Sequence, residues 1–86
     1  MRLVYSEKFF NESKKLPEPI QNKLARLLEF LASNPFHPLL HTKKLSGNLN
    51  QSYSFRITRD WRVIFYFEDK ETIKLLKVGN RKDIYR

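Results

Sequence analysis

Eighty-six residues with 41% hydrophobic and 14% aromatic content can fill one small core and not two, so a single domain over residues 1–86 is expected. There is no cysteine, which excludes disulfides and thiolate–zinc sites and suits a reducing cytoplasm, and no apolar run reaches the length of a secretory signal or a membrane span. The formal net charge of +8 points to a polyanionic partner, whether nucleic acid or an acidic protein, and no helix pairs a basic face with the broad apolar one that lipid would need.

In chain order, "RLVY" (2–5) reads as a short strand, after which Ser6 is placed to cap a first helix over about residues 7–15, stopped by Pro17. The segment "EPIQNKLARLLEFLASNP" sets Ile20, Leu24, Leu27, Leu28 and Leu31 on one stripe at helical period. Pro19 lies near its first turn and Asn34–Pro35 ends it. Lys14, Lys15 and Lys23 read as solvated helix positions. The stretch 34–51 carries Pro, Asn and Gly punctuation and reads as a loop, with a short extended piece near Lys43–Leu45.

From residue 53 the period changes to two. Tyr53, Phe55 and Ile57 alternate with Ser54, Arg56 and Thr58; Trp61, Val63, Phe65 and Phe67 alternate with Arg62, Ile64 and Tyr66. A third strand, "TIKLLKV" (72–78), follows the turn "EDKE". The expected fold is α+β in the order β-α-α-β-β-β, a small antiparallel sheet with two helices packed on one face.

Register follows from the alternation. The buried faces of the hairpin match only if Ile57 opposes Trp61 and Phe55 opposes Val63, because a one-residue slip would expose one apolar set. That leaves a three-residue loop, Thr58–Arg59–Asp60, and sets Arg56 against Arg62. Like charges facing each other across strands are unfavourable, and a phosphate would offset the repulsion. With a two-residue Asp69–Lys70 turn, Lys77 falls beside Arg62, and a Gly79–Asn80 turn brings Arg81 to the same face.

The charge is uneven in a matching way. Residues 1–40 hold six Lys/Arg against four Asp/Glu, net +2, and residues 41–86 hold eleven against five, net +6. The open sheet face is thus expected to present Ser54, Arg56, Arg62 and Lys77, with Arg81, Lys82, Tyr85 and Arg86 from the closing "VGNRKDIYR". Arginine forks grip phosphate oxygens, and tyrosine stacks on an unpaired base. That combination suits single-stranded RNA. Two histidines without a carboxylate pair make no metal site, and no cofactor is expected. Metal-free scission would use the RNA's own 2′-hydroxyl, with arginines stabilising the phosphorane and one proton acceptor. His41, just before the basic sheet, is the candidate acceptor, while His37, between Phe36 and Pro38, reads as a packing residue.

The "KKLSG" loop, the "SFRITRDWRVIFYF" hairpin and the closing "VGNRKDIYR", in this element order, resemble the RelE/ParE superfamily of type II toxin–antitoxin toxins over the whole chain. The resemblance implies a metal-independent endoribonuclease that cleaves messenger RNA on the ribosome and inhibits translation, with a cognate antitoxin as partner and no membrane. The superfamily also contains gyrase inhibitors of the ParE type, and a catalytically inactive antitoxin-binding relative fits as well. Carried onto this sequence, Arg62 corresponds to the arginine on the scissile phosphate, Arg81 to the one near the leaving group, and Tyr85 to the C-terminal base-stacking aromatic. Arg56 and Ser54 stand where RelE has lysines. The pairing of "RDWRVIF" with an upstream "HTKK" is similar to the YafQ branch and implicates His41, Asp60 and Trp61, although the alternation makes Trp61 a core residue. Relatives carry a histidine where this chain has Asn80, which cannot exchange a proton near neutral pH. Lys43, Lys44, Arg59, Lys77, Lys82 and Arg86 complete the expected RNA-binding set.

Overall fold

The computed structural model describes residues 1–49 and 51–85. Its strands are β1 (Arg2–Tyr5), β2 (Lys43–Lys44), β3 (Tyr53–Arg56), β4 (Trp61–Asp69) and β5 (Thr72–Asn80), and its helices are α1 (Glu7–Ser13) and α2 (Glu18–Ser33). The α+β class and the element order are as expected. The sheet runs β1-β5-β4-β3-β2. Two details differ from expectation: β1 pairs parallel with β5, so the sheet is mixed, and the extended piece at Lys43–Lys44 joins it as an edge strand on β3.

Ser6 caps α1, its Oγ accepting the Phe9 amide at 3.0 Å while donating to the Leu76 carbonyl at 2.9 Å. One side chain thus starts the helix and ties it to β5. Helix α1 ends at Ser13, two residues short of the expected boundary. Helix α2 opens behind Pro17 with Pro19 in its first turn, where a missing N–H costs nothing. Leu24, Leu27 and Leu31 are buried, and the half-buried Ile20 and Leu28 pack against the same core. That core joins Phe9, Leu16 and the α2 stripe to Phe55, Ile57, Val63, Phe65, Ile73, Leu75 and Val78. Both helices therefore cover one sheet face, as the patterning required.

The hairpin register is the one expected: Phe55 pairs with Val63 and Arg56 with Arg62, and the Ile57 amide donates to the Trp61 carbonyl at 2.8 Å. Beyond it, irregularities between Ile64 and Phe65 and between Phe67 and Asp69 alter the count along β5. The two irregularities cancel, and because the turn falls at Lys70–Glu71 and not at Asp69–Lys70, Lys77 opposes Ile64 and Gly79 opposes Arg62. Lys77 keeps the open face but is not Arg62's cross-strand partner. The turn is Lys70–Glu71, set by the Glu71 amide donating to Asp69 Oδ1 at 2.8 Å. Gly79 and Asn80 belong to β5 and do not form the expected turn.

The tail folds back after Asn80. Asn80 Oδ1 accepts the Lys82 amide at 3.0 Å, and its carbonyl accepts the amides of Asp83 and Ile84. Ile84 is buried, as is Ile64 on the sheet face away from the helices, and neither belongs to the main core. The tail thus covers part of that face with its own apolar anchor. Among the described residues, no helix is long and apolar enough to cross a membrane.

Candidate functional site

Arg62 lies on the open face near the start of β4. It is half-buried; its Nη1 lies 3.5 Å from Tyr85 Oη, and its Nη2 donates to the Arg59 carbonyl at 3.3 Å. Its Nε is buried and has no acceptor among the described residues. Leaving a buried donor unmade costs roughly 1–3 kcal/mol. The guanidinium is held through its two Nη atoms, at Tyr85 and at the Arg59 carbonyl. Arg56, across the strand pair, is exposed.

Arg81 reaches the same place from the tail. Its amide donates to the Asp60 carbonyl at 2.8 Å, and its Nε lies 3.5 Å from Asp60 Oδ1. The loop Thr58–Arg59–Asp60 is stiffened in turn, because Thr58 Oγ1 accepts the Asp60 amide at 3.3 Å. Arg56, Arg59, Arg62 and Arg81 all line one cleft of about 830 Å³, and His41 lines it too. Arg56, Arg62 and Arg81 thus border one cleft, which is lined by α2 as well as by the sheet.

The loop before β2 presents His41. His37 Nδ1 accepts the Leu39 amide at 3.1 Å and caps a short 3-10 turn over Pro38–Leu40; its ring packs on Phe30 at 4.5 Å between centroids. His37 is structural, as its sequence context indicated. His41 ends the turn at φ 50°, ψ 45°, the only positive-φ non-glycine among the described residues. Histidine tolerates this left-handed region better than most side chains, and such outliers concentrate at functional sites. Its side chain is exposed at the cleft.

Several expected contacts have other roles. Ser54 is 2% exposed and lies under Tyr85, whose hydroxyl is 3.3 Å from Ser54 Oγ; it anchors the tyrosine and has no surface to offer RNA. Asp60 holds Arg81. Asn80 makes the tail turn. Trp61 is half-buried against the core. Lys43 pairs with Ser54 and shares the open face, whereas Lys44 pairs with Tyr53 on the other pleat; both border a shallow groove of about 290 Å³ beside Tyr85. Arg59 and Lys82 are exposed, and Arg86 lies outside the described residues.

The sequence reading missed the far wall of the cleft. Lys23 and Arg26, one turn apart on α2, line it with Leu27, Phe30 and Leu39. Lys23, exposed on α2, thus also borders the cleft. Their i, i+3 spacing marks a shared helix face, but only the fold brings that face opposite Arg56. Six cations and one carboxylate, Glu29, line the cleft. No group of three or more His, Cys, Asp or Glu among the described residues is placed to hold a metal ion.

Comparison with known proteins places this geometry in context. A family model for HigB-like toxins, described as RelE-like toxins of the type II toxin–antitoxin system HigB, matches residues 2–77. No curated protein sequence matches the chain. Among solved structures, the chain is similar to YafQ from E. coli strain BL21(DE3), at TM-score 0.83 and 19% identity over 100% of both chains. It is similar to the YoeB/ParE toxin from Agrobacterium tumefaciens at 0.80 and 18%, over 94% of this chain and 99% of that one. The RelB–RelE antitoxin–toxin complex from Methanococcus jannaschii matches at 0.77 and 24%, over 95% and 94%. At such low identity these structures establish the fold and leave the chemistry to the residues.

Proposed function

This chain belongs to the HigB-like family of RelE-like toxins of type II toxin–antitoxin systems, and from that premise we propose that it is an endoribonuclease that cleaves messenger RNA on the ribosome. The observation that carries this reading is the pair Arg62 and Arg81, from β4 and the tail, lining one cleft together with Arg56 and Arg59. In the reaction, the RNA 2′-oxygen bonds to the adjacent phosphorus as the bond to the 5′-oxygen breaks, leaving a cyclic phosphate and a 5′-hydroxyl end. Arg62 would hold the non-bridging oxygens, whose charge grows in the transition state. His41 would accept the 2′-hydroxyl proton, and Arg81 would stabilise the charge on the leaving 5′-oxygen, which takes its proton from water. Tyr85, 38% exposed and anchored through its hydroxyl, would stack on a base. Arg56, Arg59, Lys43, Lys44, Lys77 and Lys82 would dock the basic surface on messenger and ribosomal RNA with strong salt dependence.

A cognate antitoxin is the expected protein partner, since several similar structures are toxin–antitoxin complexes, including RelB–RelE and the E. coli DinJ–YafQ complex. An acidic or amphipathic segment would suit the cationic cleft. The test is controlled expression followed by mapping of RNA 5′ ends. New ends within translated messages, absent with Arg62→Ala and Arg81→Ala, support the reading. Intact transcripts with arrested DNA replication would instead indicate a gyrase inhibitor, and no toxicity an inactive antitoxin-binding relative.

A further inference from the structure

Arg62 stands between two depressions. On one side its Nη1 meets Tyr85, which borders the groove under Lys43; on the other it lines the larger cleft shared with α2. A phosphate gripped there would join two nucleotides, one on each side. The larger cleft has two walls of different chemistry. Leu39, 57% exposed, and the half-buried Phe30 form an apolar side above Leu27 and Ile57, while Lys23 and Arg26 give the same wall a cationic rim. The His37 cap and the Phe30–His37 packing hold Leu39 in place.

We propose that this α2-side wall is a second nucleotide subsite, in which an unpaired base packs on Leu39 and Phe30 and its next phosphate meets Lys23 and Arg26. The proposal rests on the ribonuclease reading and extends it to a base contact opposite Tyr85. It commits to single-stranded nucleic acid because the cleft pairs an apolar face with arginine forks on both sides, which match a ligand alternating ring and phosphate. A duplex would keep its bases stacked and out of reach.

The probe is a fluorescent, fully 2′-O-methylated hexanucleotide, which cannot be cleaved, compared with an abasic hexamer of equal charge, each titrated against the full chain. The intact oligomer should bind about tenfold tighter than the abasic one. Leu39→Ser, a change at an exposed position, should cut that ratio to about threefold, with Tyr85 supplying the remainder, and leave the salt slope unchanged. Lys23→Gln with Arg26→Gln should instead lower the magnitude of the salt slope by about 0.7, the value for one single-strand phosphate contact, and keep the base-dependent ratio. A ratio unchanged by Leu39→Ser overturns the subsite while leaving the arginine site standing. Absence of binding to either oligomer, with tight binding of a glutamate-rich peptide, would overturn both and assign the cleft to a protein partner.

Discussion

Asp60 holds Arg81 twice, once by its carbonyl to the Arg81 amide at 2.8 Å and once by Oδ1 to Nε at 3.5 Å. The first contact fixes where the tail leaves β5, and the second aims the guanidinium into the cleft. Both side chains are well exposed, at 61% and 43%, so the ion pair contributes only about 0–1 kcal/mol to stability. Its value lies in orientation.

Asp60→Ala should therefore separate the two effects. The melting temperature should fall by no more than about 4 °C, what a loss of half a kcal/mol or so produces in a domain this small. RNA cleavage should fall about tenfold, because a misplaced stabilising group loses much of its effect in the transition state. Asp60→Asn, which keeps an Oδ1 acceptor, should lie between. Calorimetry and single-turnover cleavage on the same samples check this, and unchanged cleavage by Asp60→Ala would remove the orienting role.

Arg62 should show opposite signs for stability and function. Its buried Nε lacks an acceptor among the described residues, and it faces Arg56 across the strands. Arg62→Met should accordingly be neutral or stabilise the fold by up to about 1 kcal/mol. The same change should reduce cleavage by about 10²- to 10³-fold, the usual cost of losing one preorganised donor to a developing oxyanion. Arg62→Lys should rescue little, since an ammonium cannot reproduce the planar fork. Urea denaturation and cleavage assays provide the two readouts, and a variant both destabilised and fully active would contradict the assignment.

Strict alternation made the β3–β4 hairpin legible. Phe55, Ile57, Trp61 and Val63 allow one register, and that register alone puts Arg56 against Arg62. Alternation fails in β5, where Leu75 and Leu76 are adjacent and a bulge sends Leu75 and Val78 into the core. The Val78 amide there donates to Glu12 Oε1 of α1 at 3.1 Å, a partner distant in sequence that no local pattern announces. The same limit hid Lys23 and Arg26: a helical period says which face they share, not what the fold sets opposite. The buried Ser54 was misread because the chain that covers it is the tail, and the turn expected at Gly79–Asn80 falls just after it, with Asn80 ending β5 and accepting the Lys82 amide.

The β4–β5 turn should make stability depend on acid. The Glu71 amide and the Thr72 hydroxyl bond the Asp69 carboxylate and hold its pKa below the ordinary carboxylate value. A depressed folded pKa contributes stability that is complete above the unfolded value, near ~4, and lost as pH falls through the folded one. The melting temperature of the native chain should decline below about pH 4, and Asp69→Asn should lessen the Asp69-dependent part of that decline. Thermal scans from neutral pH into the acid range check it; superimposable acid limbs would mean the turn carboxylate contributes nothing.

His41 combines an exposed imidazole at the cleft with φ 50°, ψ 45°, so replacing it by alanine would confuse chemistry with backbone strain. Glycine adopts these angles without penalty and leaves space where the ring was. His41→Gly should keep the fold and lower cleavage by about 10²- to 10⁴-fold, the usual contribution of a positioned general base. Asn, which also accepts left-handed angles, should lose as much, because its amide takes no proton. Added imidazole should then restore cleavage in the glycine variant in a concentration-dependent way, and restore little in the asparagine variant, whose side chain fills the space. Rescue ties the loss to proton transfer. A glycine variant as active as the native chain would transfer the task to the RNA or the ribosome and leave His41 as a loop terminus alone.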